Sequence, residues 1–129
     1  NTLDRLGTVY TNLGEYKRAI EYQLEALEIS REIKNPLVES YCLSNLGAAY
    51  ANLEEYTKAV EYEEKALELS RQIGERLVEG NSLGYLGVAY HGLGEKEKAC
   101  NLLKKAVVIL KKIESPEAEN FQKFIEKNC

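Results

Sequence analysis

The residues able to do chemistry are few and far apart. His91 is the single histidine in 129 residues, and nothing in the sequence supplies a cysteine-histidine pair with an orienting acid, the minimum for an activated nucleophile. Neighbouring carboxylates, Glu54 with Glu55 and Glu63 with Glu64, have the residue types of an acid-base pair. They fall on helix faces left over once the apolar stripe is assigned, so both pairs read as solvated. Glu54 with Lys58 and Glu61 with Lys65 have the four-residue spacing of surface ion pairs. The glycines of EGNSLGYLGVAYHGLGE, residues 79–95, have the look of a phosphate loop. They lie inside a helical pattern, with no preceding strand and no Gly-Lys-Ser/Thr ending, and so fail the requirements of one. Cys42, Cys100 and Cys129 form no CxxC pair. Each aligns with small or apolar residues elsewhere in the chain, and they read as packing residues in a reducing compartment rather than as a disulfide framework or a zinc site. His91 reads as partly solvated. The expectation is a protein that is no enzyme and holds no cofactor and no metal.

Composition bounds the partners. With 17 basic against 21 acidic residues the net charge is −4, which lacks the positive excess that neutralising phosphates or anionic lipid requires, so neither nucleic acid nor a membrane is expected. No apolar run approaches bilayer length, and the first residues, NTLDRL, have neither the basic start nor the apolar core of a secretory signal. The sequence reads as soluble and cytoplasmic. The absence of methionine, including an initiator, reads as an excerpt from a longer protein.

What must position any functional residue is a phrase written three times. At an offset of forty residues, Leu3, Leu43 and Leu83 align; so do Leu6, Leu46 and Leu86, Gly7, Gly47 and Gly87, and Tyr10, Tyr50 and Tyr90. The columns continue through Ala19, Ala59 and Ala99, Ala26, Ala66 and Ala106, and Ile33, Ile73 and Ile113. Such self-similarity marks stacked units, each too small to bury its apolar face alone. Within a unit, Leu43, Leu46, Tyr50 and Leu53 follow helical spacing, as do Tyr56, Ala59, Val60, Ala66, Leu67, Ser70 and Ile73, giving two amphipathic helices. The Gly and Ala columns predict a crossing so close that nothing beyond a hydrogen or a methyl fits. Gly14 and Gly94 suit the turn between the two helices, where Glu54 must adopt the left-handed conformation at a cost of about 1 kcal/mol. Pro36, Ser115 and Pro116 mark starts of new helices. The units fall at residues 1–34, 35–74 and 75–114. Residues 115–129 carry Ala118, Phe121, Phe124 and Ile125 on one face and form a capping helix.

These columns resemble the tetratricopeptide repeat over nearly the whole chain, with Leu3, Leu43 and Leu83 in place of the usual tryptophan. The forty-residue period resembles spindle-orientation adaptors and bacterial signalling proteins, and is similar to the repeats of kinesin light chains. The resemblance implies an all-α, right-handed solenoid of antiparallel helix pairs and a scaffold that binds a protein or peptide within a larger adaptor or signalling protein. A homo-oligomerising scaffold element is the alternative. The family's concave groove, lined by the first helix of each repeat, maps onto Asp4, Arg5, Thr8, Thr11 and Asn12 in the first unit. In the second it maps onto Tyr41, Ser44, Asn45, Ala48, Ala51 and Asn52, and in the third onto Asn81, Gly84, Tyr85, Val88, His91 and Gly92. The amides can bond a peptide backbone in both directions, and Tyr41 and Tyr85 add amphipathic contact area. With Arg5 as the groove's only positive charge, a receptor for acidic chaperone tails is not expected. Gly80, Gly84 and Gly92 weaken their helix, which then is either loosely held or closely approached by a partner backbone.

Two surface features complete the reading. The first helix lacks counterparts to Leu37 and Val38, which predicts an uncovered apolar edge and weak self-association through it. From Glu54 to Arg71 six acids face three bases, whereas from Glu95 to Glu114 three acids face six bases. That reversal is either a solvated surface or an orientation signal for stacking between molecules.

Overall fold

A computed structural model describes residues 15–129. Groove residues Arg5, Thr8 and Asn12, along with Asp4 and Thr11, lie outside the described residues, as does the first helix with its predicted apolar edge.

The described chain is all α. Its helices are α1 (Tyr16–Glu32), α2 (Pro36–Asn52), α3 (Tyr56–Ile73), α4 (Arg76–Gly92), α5 (Lys96–Lys112) and α6 (Glu117–Asn128). Each packs antiparallel on its neighbours in sequence, and α2 also packs directly on α4. The helices therefore form two layers, with α2 and α4 inside and α1, α3 and α5 outside.

Local chemistry sets the boundaries. Pro36 opens α2 where its missing N–H costs nothing, and the Asn35 side chain accepts a hydrogen bond from Val38 N at 3.2 Å. Glu75 accepts from Leu77 N at 3.2 Å at the start of α4. The turns share one device. Lys34, Glu54 and Glu114 have φ of 55°, 61° and 57°, and Gly74 and Gly94 have φ of 72° and 87°. One left-handed residue therefore closes each of α1 to α5, and only two of the five are glycine, so packing overrides the backbone preference at the other three.

The alanine columns sit where the sequence puts them. Ala19, Ala59 and Ala99 are fully buried, as are Ala26, Ala66 and Ala106. A methyl on Gly47 would stand 2.4 Å from Glu63 Cγ, and one on Gly87 would stand 2.5 Å from Leu103 Cγ and 3.0 Å from the Ala99 carbonyl oxygen. The inner and outer helices thus cross where only a hydrogen fits. Around the crossings, Leu43 and Leu46 pack with Ile20, Leu27, Ala66 and Val78, and Tyr50 stacks on Tyr62 with ring centroids 5.5 Å apart.

The C-terminal helix packs against α5. Its Ala118 and Phe121 are buried against Leu103, Val107 and Leu110 of α5. Contrary to the sequence expectation for the cysteines, Cys100 near the start of α5 and Cys129 after α6 form a disulfide. Helix geometry explains it: Cys100 lies twelve residues before the end of α5, and Cys129 twelve after the start of α6. Equal rises on antiparallel neighbours return the second sulfur to the height of the first. Cys42 is outside the disulfide and buried in the core, as expected of a packing residue.

Candidate functional site

The candidate groove is built on α2 and α4. Of the second-unit residues, Tyr41 and Asn45 are half-buried and Asn52 is exposed. Ser44, Ala48 and Ala51 are buried; Ala51 packs with Ala59 and Ala89 where α2, α3 and α4 meet. The fold thus keeps three of these side chains at the surface and uses the smaller ones to seat α4 on α2.

The third-unit residues are largely beneath α6. The Phe121 ring fills the space over Gly84, where a methyl would stand 2.4 Å from its Cζ, and meets Tyr85 edge-on at 5.4 Å. His91 meets Phe124 edge-on at 5.3 Å, and Val88 packs against the same α5–α6 cluster. Gly80 and Gly92 are occupied too, by Leu110 and Tyr56. This corrects the sequence reading at Gly80 and Gly84, which are buried with side chains of the chain itself filling the room they leave, whereas Gly92 is exposed.

Asn81 retains polar capacity. Its Oδ1 is buried with no hydrogen-bond partner among the described residues. Such an acceptor costs free energy until something donates to it. Burial, followed by the negative charges of Glu63 and Glu117, pushes the Tyr85 phenol up to about 12, so it remains a neutral donor and acceptor.

Sequence reasoning misplaced one carboxylate. Glu63, expected in solvent, is 0% exposed. It lies on the α3 stripe with Ala59, Ala66 and Ser70, and its forty-residue equivalents Gln23 and Leu103 are also buried. That column was the available signal. Among the described residues, neither carboxyl oxygen of Glu63 completes a hydrogen bond of good geometry, although the Ser44 and Ser82 hydroxyls lie beside it. Burial therefore raises its pKa well above the ordinary value, and the two hydroxyls offset this only in part. Among the described residues, no group of His, Cys, Asp and Glu side chains is arranged to hold a metal ion, and no helix is long and apolar enough to cross a membrane.

Comparison with known proteins adds the lineage. Among solved structures, a Rap protein complexed with competence and sporulation factor superposes with a TM-score of 0.88 at 19% identity, over 95% of this chain and 34% of that one. This chain thus spans little more than a third of the Rap protein. The TPR-like protein ct2138 of Chlorobium tepidum gives 0.86 at 21% identity, over 98% of this chain and 89% of that one. The TPR domain of Arabidopsis FLU gives 0.79 at 23% identity, over 86% and 93%. At these identities the likeness is one of fold. No curated protein matches the sequence. A family model does: the tetratricopeptide repeat matches residues 1–72 and again 39–112, and with the paired helices and glycine crossings seen here, the chain belongs to the tetratricopeptide repeat family.

Proposed function

We propose that this chain is a protein-interaction scaffold whose inner face, on α2 and α4, binds a peptide or helical segment of a partner protein. The observation that carries this reading is the polar character of that face: the exposed Asn52 amide, the half-buried side chains of Tyr41 and Asn45, and an Asn81 Oδ1 with no hydrogen-bond partner among the described residues. Amides and phenols of this kind recognise a main chain, which offers donors and acceptors alternately. The Rap protein of the same fold, solved with competence and sporulation factor, supports the reading by analogy. Helix α6 narrows the site, because Gly84, Tyr85, Val88 and His91 are engaged by it, so the proposed contact centres on α2. A role within a larger adaptor or signalling protein fits such a module.

The test compares Asn45→Ala/Asn52→Ala with Glu61→Ala, which alters an exposed outer-helix residue. A partner isolated by pull-down is titrated calorimetrically against each. Loss of affinity in the asparagine variant, with the Glu61 variant unchanged, is expected, at about 1–3 kcal/mol for each group left desolvated and unpaired. The reverse pattern would move the binding surface to the outer layer.

A further inference from the structure

The outer layer contains a second groove, and the repeat supplies its own control for reading it. At the junction of α3, α4 and α5, Arg71, Leu83, Lys104, Lys105, Val108 and Ile109 line a shallow depression of about 350 Å³. One repeat earlier, the junction of α1, α2 and α3 carries the equivalent depression, lined in part by Arg31, Leu43, Lys65, Glu68 and Leu69. Arginine, leucine, lysine and an aliphatic residue recur at matching positions, so the apolar floor and part of the basic rim are common to both.

The acids are not. At forty-residue spacing Glu61 becomes Asn101, Glu64 becomes Lys104 and Glu68 becomes Val108. In the earlier groove Lys65 pairs with Glu61 at 3.6 Å. In the later one neither Lys104 nor Lys105 has an acidic partner among the described residues, while Arg71 is held by Glu79 at 3.3 Å. Val108 leaves 56% of its surface in solvent between these cations. The backbone setting is the same, yet one groove neutralises its own charge and the other presents unpaired ammonium groups around an exposed apolar patch.

We infer that the α3–α4–α5 groove docks an acidic, amphipathic segment of a partner protein, with an apolar side chain on Leu83, Val108 and Ile109 and flanking carboxylates on Lys104 and Lys105. Charge complementarity selects this occupant. The cationic patch is local on a chain of net charge −4, which suits a short segment and repels an extended polyanion such as nucleic acid or an anionic bilayer. The site lies on the outer layer, separate from the inner face, so one chain can bring two partners together.

The experiment uses a fluorescein-labelled peptide of repeated Leu-Glu-Glu-Leu blocks and its Gln-for-Glu counterpart, titrated by anisotropy against the whole chain. The acidic peptide should bind, more weakly as salt rises, and the glutamine peptide should lose at least about tenfold in affinity. Lys104→Glu/Lys105→Glu, at exposed positions, should lose as much while keeping its helical circular dichroism. Glu61→Asn/Glu64→Lys/Glu68→Val, which rebuilds the earlier groove in the image of the later one, should add a second binding event. Equal affinity of wild type and the charge-reversed variant would overturn the inference. So would loss of peptide binding in Asn45→Ala/Asn52→Ala, which would place the peptide on the inner face instead. Growth in sedimentation that the charge reversal abolishes would assign the groove to a second copy of the chain and overturn it likewise.

Discussion

Gly47 and Glu63 share one space: a β-carbon on the glycine would stand 2.4 Å from the glutamate Cγ and 2.6 Å from its Oε2. The crossing of α2 and α3 at Gly47 is thus closed by a carboxylic acid, where the next repeat uses Gly87 against Leu103. Adding a methyl at Gly47 forces the enclosed acid to move, so Gly47→Ala should lower stability by about 1–3 kcal/mol. In a Glu63→Ala background the same change should cost markedly less, because the obstructing side chain is gone. Urea unfolding of the four proteins in this double-mutant cycle measures the coupling; additive costs would show that the two residues do not contend for the space.

The buried acid also makes stability depend on pH. Its folded pKa is raised above the ordinary 4.5 by burial, with the facing Ser44 and Ser82 hydroxyls lowering it only in part and the Tyr85 phenol nearby. Above pH 4.5 the unfolded chain therefore releases a proton that the folded chain keeps, and stability falls with rising pH until the folded pKa is passed. Glu63→Gln, which installs the residue type of position 23, removes this dependence. It should match wild type near about pH 4 and exceed it increasingly toward alkaline pH. Melting curves across that range check the slope.

Reducing the Cys100–Cys129 disulfide should destabilise the fold. The link closes a loop with a sequence separation of 29, for which about 2–4 kcal/mol is typical. Thermal melts with and without dithiothreitol should differ for wild type and coincide for Cys129→Ser.

Phe121 anchors α6, and Phe121→Ala should cost about 3–5 kcal/mol if the array unfolds as one unit. Because the ring fills the space above Gly84 and meets Tyr85, its loss should also loosen α6 locally. Faster tryptic cleavage at Lys123 in the folded protein reports the local effect, and wild-type cleavage kinetics would show that α6 is held by its other contacts.

The sequence made the helices legible because each packing column is written three times: Ala59 and Ala99 are fully buried because their spacing admits nothing larger. Glu63 escaped because residue type outweighed register. Its polarity argued for solvent, while its place between Ala59 and Ala66 argued for the core, and register won. The disulfide escaped because Cys100 and Cys129 are distant in sequence and meet only once α6 folds back along α5. Of the candidate groove positions on α2, Tyr41, Asn45 and Asn52 remain at the surface. The covering of the third-repeat positions was not legible, since α6 carries no copy of the repeat signature, and only packing shows that its phenylalanines lie on Gly84, Tyr85 and His91.

The tie between α5 and α6 gives the stack a polarity. A linear array of repeats loses order from its margins, where each unit has one neighbour instead of two. A covalent bond across α5 and α6 bars that route between these two helices, so melting is expected to reach them last, like a zipper sewn shut at that point. Under oxidising conditions, amide hydrogens of α5 and α6 would be the slowest to exchange, and a thiol reductant would remove that difference.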